Sequence, residues 1–418
     1  MELPRRVLVV GLARSGRAAA AALARRGVEV VAADRSRDVD PGDLAGLGVD
    51  VRLGSEEASL LDGVGLVVKS PGVPGSAPLP AASRERGIPV WSEVELGARL
   101  LPNPLLGVTG TNGKTTTSEL LGAVFRAAGR PVEVAGNVGR ALCDLDGKAA
   151  ADTWIVCELS SFQLEDIVAL RPRVAVLVNL EPDHLDRHGT AEAYRDAKLR
   201  IFENQLPGDV AVLPRGFPPV AGSAARVEFR WDDPLPAEPR IPGQHNRENA
   251  AAATAAARAA GIEEAAIAAA LQTFPGVPHR LELVGEVAGV RYVNDSKATN
   301  AAAARRGIAA YAGAPLRLIL GGSRKGESFG ELARTLPETV RGVYLIGETA
   351  AELAVALDGA GVAYEQCGDL PHALAAAAAA AEAGEVVLLS PACASYDQFA
   401  NFERRGEEFG RLVQKLQK

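Results

Sequence analysis

Short β-branched runs alternate with alanine-rich stretches along most of the chain, a pattern that predicts parallel sheets covered by helices. Residues 7–10 predict a strand, then a glycine turn, an alanine-rich helix to Arg26, and a strand over 28–32 leading to Asp34. Residues 66–69 predict another buried strand, stopped by Ser70-Pro71-Gly72, and Pro102 and Pro104 punctuate the chain before a new strand at 105–108. A first domain boundary is therefore expected near residue 93. Runs at 105–109, 153–157 and 174–179 each end at polar residues, whereas 207–240 suggests small irregular strands. Residues 248–260 predict a helix, and Pro275, Gly276 and Pro278 mark a second linker. Beyond it, strands are expected near 316–320, 342–346 and 386–390, and the tract 373–381 predicts a packing helix with one face in solvent. The expected class is α/β, divided into domains 1–93, 94–277 and 278–418.

Composition narrows the function. The chain has 418 residues, enough for several cores, and 45 Lys+Arg against 52 Asp+Glu give a net charge of -7. That balance argues against a general binder of nucleic acid or anionic membrane, while leaving room for a local phosphate pocket. The four cysteines lie far apart with no zinc-ligand spacing, and Cys157 and Cys393 sit beside apolar runs as small core residues. This usage fits a reducing cytoplasm. The start Met1-Glu2-Leu3-Pro4-Arg5-Arg6 leads into a strand without the apolar core of a signal peptide. The tract 373–381 is too short to span a bilayer. A cytoplasmic protein without membrane insertion is expected.

The strongest chemical signal is Gly107-Val-Thr-Gly110-Thr111-Asn112-Gly113-Lys114-Thr115-Thr116-Thr117, between an apolar strand and an amphipathic helix. Glycines let backbone N–H groups curl around phosphate oxygens, and the helix N-terminus favours negative charge. Lys114 would bridge the β- and γ-phosphates, and the hydroxyl of Thr115 or Thr116 would ligate Mg²⁺. Val108 stands where the strict phosphate-loop pattern has glycine. ATP binding follows. Glu158 closes the apolar run of the next strand, where a hard cation wants oxygen ligands. Lys198, by composition alone, reads as a solvated helix lysine. Gly11-Leu12-Ala13-Arg14-Ser15-Gly16, with Asp34 downstream, is nearly a dinucleotide fingerprint, but Ala13 replaces a glycine.

The run Thr-Gly-Thr-Asn-Gly-Lys-Thr-Thr at 109–116 resembles the ATP loop of the Mur ligases and folylpolyglutamate synthases, ATP-dependent enzymes that form amide bonds. Glu158-Leu-Ser160-Ser-Phe-Gln163-Leu, the segment from Asn179 through Asp183-His184 to Gly189, Gly243-Gln-His-Asn246-Arg-Glu-Asn249 and Pro278-His-Arg280 are similar to further motifs of the Mur ligases. Two late segments, Asn294-Asp295-Ser-Lys297-Ala-Thr299-Asn300 and the run from Leu389 through Ser395 to Phe402, resemble the D-glutamate-adding branch. The resemblance implies Rossmann-like first and third domains around a P-loop ATPase-like centre. It also implies ligation of D-glutamate to UDP-N-acetylmuramoyl-L-alanine in peptidoglycan precursor synthesis, by a monomer without nucleic-acid partners.

By the same resemblance, 11–16, Asp34, Arg35, Ser70, Gly72, Asn137, Ser160 and Gln163 would face the UDP-substrate. Asn246, Asn249, Arg280 and Asp295 would join the 110–116 loop around ATP. Glu158, His184, Thr115 and a carbamylated Lys198 would hold two Mg²⁺ ions. Lys297 would lie near the reaction centre, with Thr299, Lys325, Ser395 and Phe402 around the glutamate. Arg324 departs from the branch, which has an acid before the lysine. Three alternatives stay open at this point: a nicotinamide-dependent oxidoreductase using the 11–16 turn, a silent nucleotide-binding regulator, and a sibling ligase taking another amino acid.

Overall fold

The apolar runs become strands of three sheets. The computed structural model describes residues 3–181, 183–324, 326 and 328–417. The first sheet holds β1 (Arg6–Val10), β2 (Glu29–Asp34), β3 (Asp50–Leu53), β4 (Leu66–Lys69) and β5 (Val90–Ser92) in the order β3-β2-β1-β4-β5. All its pairings are parallel. The central sheet holds β6 (Leu105–Thr109), β7 (Val132–Gly136), β8 (Trp154–Glu158), β9 (Val174–Leu177), β10 (Val210–Pro214) and β11 (Ala225–Phe229), ordered β11-β10-β9-β6-β8-β7. It too is parallel throughout. The third holds β12 (Glu282–Val287), β13 (Val290–Asn294), β14 (Leu316–Gly321), β15 (Val340–Ile346), β16 (Tyr364–Gly368) and β17 (Val386–Leu389), ordered β12-β13-β17-β14-β15-β16. Here β12 and β13 form an antiparallel pair, so this sheet is mixed.

The chain divides into two compact units, Met1–Glu238 with Glu248–Gln272, and Pro239–Arg247 with Thr273–Lys418. The first unit carries the first two sheets and the second carries the third. Alanine makes close helix–sheet packing possible: helix Arg14–Arg25 buries Ala18, Ala19, Ala22 and Leu23 against Val7 and Val9 of β1. Helix Leu370–Ala380 buries Leu370, Ala373, Leu374 and Ala377 and leaves its other face partly open, as its composition suggests. Cys157 and Cys393 are buried core residues. Among the described residues no helix is long and apolar enough to cross a membrane.

Two local expectations need correction. The stretch 207–240 contains regular parallel strands, β10 and β11, because Val-Ala-Val-Leu and Ala-Arg-Val-Glu-Phe complete one side of the central sheet. The helix expected over 248–260 begins one turn earlier and runs Gln244–Ala259; inside it Asn246 Nδ2 donates to the Pro242 carbonyl at 2.6 Å. Two tryptophans pack inside the first unit, Trp154 with its ring 5.4 Å from Phe125 and Trp91 under the Arg99 guanidinium at 4.3 Å. Trp231 is more exposed.

Candidate active site

β6 is buried along its whole length and delivers the chain into the glycine loop at its C-terminal end. There Gly113 takes φ +77°, which favours glycine, and a Cβ on it would lie 2.0 Å from the end of the Asn249 side chain, at Oδ1. The loop is braced from β9: Asn112 N donates to Asn179 Oδ1 at 2.8 Å, Asn179 Nδ2 donates to the Asn112 carbonyl at 3.2 Å, and Thr111 Oγ1 donates to the Glu181 carbonyl at 3.0 Å. Tyr194 supports Thr111 through a 3.1 Å hydroxyl contact.

Two lysines converge on one loop carbonyl. Lys114 Nζ donates to the Gly110 and Thr111 carbonyls at 2.9 Å each, and Lys198 Nζ donates to the same Gly110 carbonyl at 2.7 Å. Lys198 is 2% exposed, on the inward side of helix Ala191–Leu199 with Tyr194, four residues earlier, beneath its ammonium at 4.7 Å. Burial, then the charge of Lys114, push its ammonium down to about 6, with Asp183 and Glu158 opposing. The solvated reading of Lys198 is thus replaced by a buried amine at the loop. Glu158 is buried at the end of β8, and its Oε1 accepts from Asn137 Nδ2 at 3.0 Å.

His184 has φ +51°, a conformation uncommon outside glycine, with its ring half-exposed beside Phe162 at 5.0 Å. Thr115 and Thr116 lie in the buried first turn of helix Lys114–Ala127, where Thr116 Oγ1 has no hydrogen-bond partner. Among the described residues no three His, Cys, Asp or Glu side chains gather as a metal cage. Mg²⁺ characteristically takes one or two protein carboxylates and completes its shell with water and nucleotide phosphate. A carboxylate at a strand exit and hydroxyls in the first turn of helix Lys114–Ala127 fit that mode.

The first sheet offers a separate cavity of about 330 Å³, walled by Gly11, Ala13, Arg14, Ser15, Asp34, Arg35, Ser70, Gly72 and Asn137 among others. Asp34 shapes its floor: Oδ2 accepts from Leu12 N at 2.7 Å and Oδ1 from Ser36 N at 2.9 Å. Gly16 permits the helix to start against the turn, since a Cβ there would stand 1.8 Å from the Gly11 carbonyl oxygen. Arg14 Nη2 donates to the Asn137 carbonyl at 3.1 Å, joining this turn to the central sheet. Leu12, Gly16, Ser160 and Gln163 are not among the walls; Ser160 and Gln163 bond to each other as a capping box. Ser55, Glu56, Val73 and Pro74 do line it, and no local motif marks them.

In the second unit Asp295 is buried, accepting from Ser390 Oγ at 2.7 Å and Leu281 N at 3.3 Å. Burial pushes its carboxyl up to about 7, against the Ser390 bond and the charge of Arg280. Lys297 Nζ lies 5.5 Å over the Phe402 ring, which also meets His279 edge-on at 6.3 Å. Ser395 is buried and Thr299 half-buried; Lys325 lies outside the described residues. Arg324 points to Glu352 at 2.6 Å. Arg405, which no motif reading singles out, is 1% exposed and donates to Ser296 Oγ and the Ser296, Ala394 and Cys393 carbonyls at 2.8–3.1 Å. It ties the Lys297 segment to the Ser395 segment. Its position in the buried stripe with Phe409 and Val413 is the signal that could have found it.

Residues 5–92 match the model of the Mur ligase MurD-like N-terminal domain, 108–229 the Mur ligase middle domain, and 279–393 the Mur ligase glutamate ligase domain. The chain belongs to the Mur ligase family. It is 45% identical to the UDP-N-acetylmuramoylalanine–D-glutamate ligase of Anaeromyxobacter dehalogenans (strain 2CP-C), over 98% of this chain and 97% of that one. Its fold is similar to the UDP-N-acetylmuramate-alanine ligase MurC of Thermotoga maritima, with a TM-score of 0.61 at 19% identity, covering 98% and 99% of the two chains. It is also similar to the bifunctional folylpolyglutamate synthase/dihydrofolate synthase of Yersinia pestis complexed with AMPPNP and Mn, with a TM-score of 0.55 at 20% identity, covering 77% and 92%.

Proposed function

We propose that this chain joins D-glutamate to UDP-N-acetylmuramoyl-L-alanine at the expense of ATP, in cytoplasmic peptidoglycan precursor synthesis and as a monomer. The convergence of Lys114 and Lys198 on the Gly110 carbonyl carries the reading of the site. Full-length likeness to D-glutamate ligases supports the substrate pair. Residues 1–93 would hold the UDP-substrate, 94–277 ATP, and 278–418 the amino acid.

A carboxylate is a poor acyl donor because oxide is a poor leaving group. The L-alanyl carboxylate oxygen attacks the γ-phosphorus of ATP, the bond to the β-phosphate oxygen breaks, and ADP departs. The D-glutamate nitrogen then adds to the acyl carbon. The tetrahedral adduct expels phosphate with its electron pair, and the nitrogen loses a proton to leave the amide. Loop N–H groups and Lys114 would bind the nucleotide phosphates and stabilise negative charge on the transferred phosphoryl group. Asn246, Asn249, Arg280 and Asp295 would contact the nucleotide. Lys297 would act near the reacting carboxyl, with Thr299, Lys325, Ser395 and Phe402 holding glutamate.

Glu158, His184, Thr115 and a carbamylated Lys198 would hold two Mg²⁺ ions, which when bound neutralise phosphoryl charge. A neutral Lys198 amine adds to CO₂, forming an N–C bond and releasing a proton, so that a neutral nitrogen base becomes an anionic, carboxylate-like oxygen donor. Rescue of Lys198→Ala by short carboxylic acids tests that step.

Phosphate release with ATP, Mg²⁺ and UDP-N-acetylmuramoyl-L-alanine, against a panel of amino acids, tests the whole reading. Release with D-glutamate alone is expected. Release with L-glutamate or another amino acid instead overturns the substrate assignment. Silence with ATP still bound makes the chain a nucleotide-binding regulator.

A further inference from the structure

The loop after β4 helps wall the first-sheet cavity, and its Val73 carbonyl accepts from two cations. Lys69 Nζ donates to it at 3.0 Å and Arg187 Nη2 at 2.8 Å. Lys69 is fully buried and pairs at 3.1 Å with Asp166, which also receives Arg84 at 2.6 Å. Asp166 follows the short helix Ser161–Leu164 that succeeds β8, so this network already joins the cavity loop to the central sheet's layer. Arg187 arrives from the other direction. It belongs to the turn Leu185–His188, directly after Asp183 and His184, and its guanidinium lies 4.2 Å over the Phe162 ring. Its neighbour His188 is fixed by Ser161 Oγ at 2.9 Å and Glu165 at 3.3 Å.

Val73 is thus already anchored by Lys69, and holding the loop does not require a second cation. What Arg187 adds is a direct bond between a cavity wall and the segment carrying Asp183 and His184. We propose that Arg187 is a positioning residue: through the Val73 carbonyl it couples occupancy of the UDP-substrate cavity to placement of the 183–184 segment beside the phosphate loop. This deepens the ligase reading and rests on it. A charged, planar donor on a carbonyl sets direction as well as distance, and a misplacement of ~1 Å at a reacting group can cost ~10²-fold in rate.

The test compares Arg187→Ala and Arg187→Lys with the parent chain. For each, kcat and KM are measured, and the dissociation constant of UDP-N-acetylmuramoyl-L-alanine is determined by calorimetry with and without AMP-PNP and Mg²⁺. Arg187→Ala is expected to lose roughly 30- to 100-fold in kcat. Substrate affinity without nucleotide should stay within about threefold, and the melting temperature should be unchanged. Nucleotide should tighten substrate binding ~5-fold or more in the parent and not in Arg187→Ala, and Arg187→Lys should recover part of both effects. The same tightening in parent and Arg187→Ala, or none in the parent, overturns the coupling. So does a fall in melting temperature with an equal loss of bare affinity, which marks a plain brace. A parent chain that releases no phosphate with D-glutamate defeats the ligase reading instead, and the binding comparison still decides the coupling.

Discussion

The two glycine turns of the first unit share a topology and differ in what stands behind them. Each follows a buried strand and opens a helix, β1 into Arg14–Arg25 and β6 into Lys114–Ala127. Behind the first lies an acid, Asp34, which spends its oxygens on backbone N–H groups and leaves a cavity of about 330 Å³. Behind the second lie two lysines, both bonded to the Gly110 carbonyl. One local geometry therefore stands in two electrostatic settings. An acid-backed turn suits the neutral edges of a nucleotide sugar or base, and a cation-backed loop suits a phosphoryl group in transfer.

The two turns differ most at Lys114. Lys114→Ala should lower D-glutamate-dependent phosphate release ~10³-fold while UDP-substrate affinity by calorimetry stays within about twofold. Equal loss of both would mean that the two turns do not divide the work.

Lys198→Met sharpens the electrostatic half. Burial pushes the native amine down to about 6 while the unfolded one keeps an ordinary lysine value, so between those limits the unfolded chain binds more protons. The charging penalty is therefore complete below about pH 6 and is relieved as pH rises toward 10.5. In CO₂-free buffer, urea melts should find Lys198→Met more stable than the parent by ~3 kcal/mol at pH 5.5–6, the gap closing by about pH 10.

The glycines differ in a related way. A methyl on Gly16 meets the Gly11 carbonyl oxygen, which is backbone, whereas on Gly113 it meets the end of the Asn249 side chain, which can turn. Gly16→Ala should cost about 2–3 kcal/mol in urea unfolding, and Gly113→Ala about 1–2 kcal/mol, mainly from its positive φ. An effect of similar size is expected at Asp34. Asp34→Ala should weaken UDP-substrate binding by about 1.5 kcal/mol, roughly tenfold, with the KM for ATP unchanged.

Strand exits were readable because an apolar run ending at a glycine or acid is a local pattern. β1, β6 and β8 fall in that class, and β4 and β9 lead instead to Ser70 and Asn179, polar residues that stop an apolar run as plainly. β10 and β11 are harder to read, since proline and glycine around them hide two five-residue strands at one side of the sheet. Lys198 looked solvated because composition says nothing of depth, although its spacing from Tyr194 places both on one helix face. Lys69 and Arg187 act through a carbonyl that only the folded chain brings near, so no motif names them, whereas Arg405 is marked by the helix stripe it shares with Phe409 and Val413. Ser160 and Gln163 show the opposite case, a recognisable motif whose side chains are engaged with each other.

The placement of the aromatic residues has a spectroscopic consequence. Trp91, Trp154 and Trp231 are the chain's three tryptophans, and all lie in Met1–Glu238. Five of its six tyrosines, Tyr292, Tyr311, Tyr344, Tyr364 and Tyr396, lie in the other unit. Excitation at the red edge of indole absorption therefore illuminates one unit and leaves the other dark. Emission from that unit and circular dichroism of the whole chain, followed together through a denaturant titration, resolve whether the two units melt as one body or in succession.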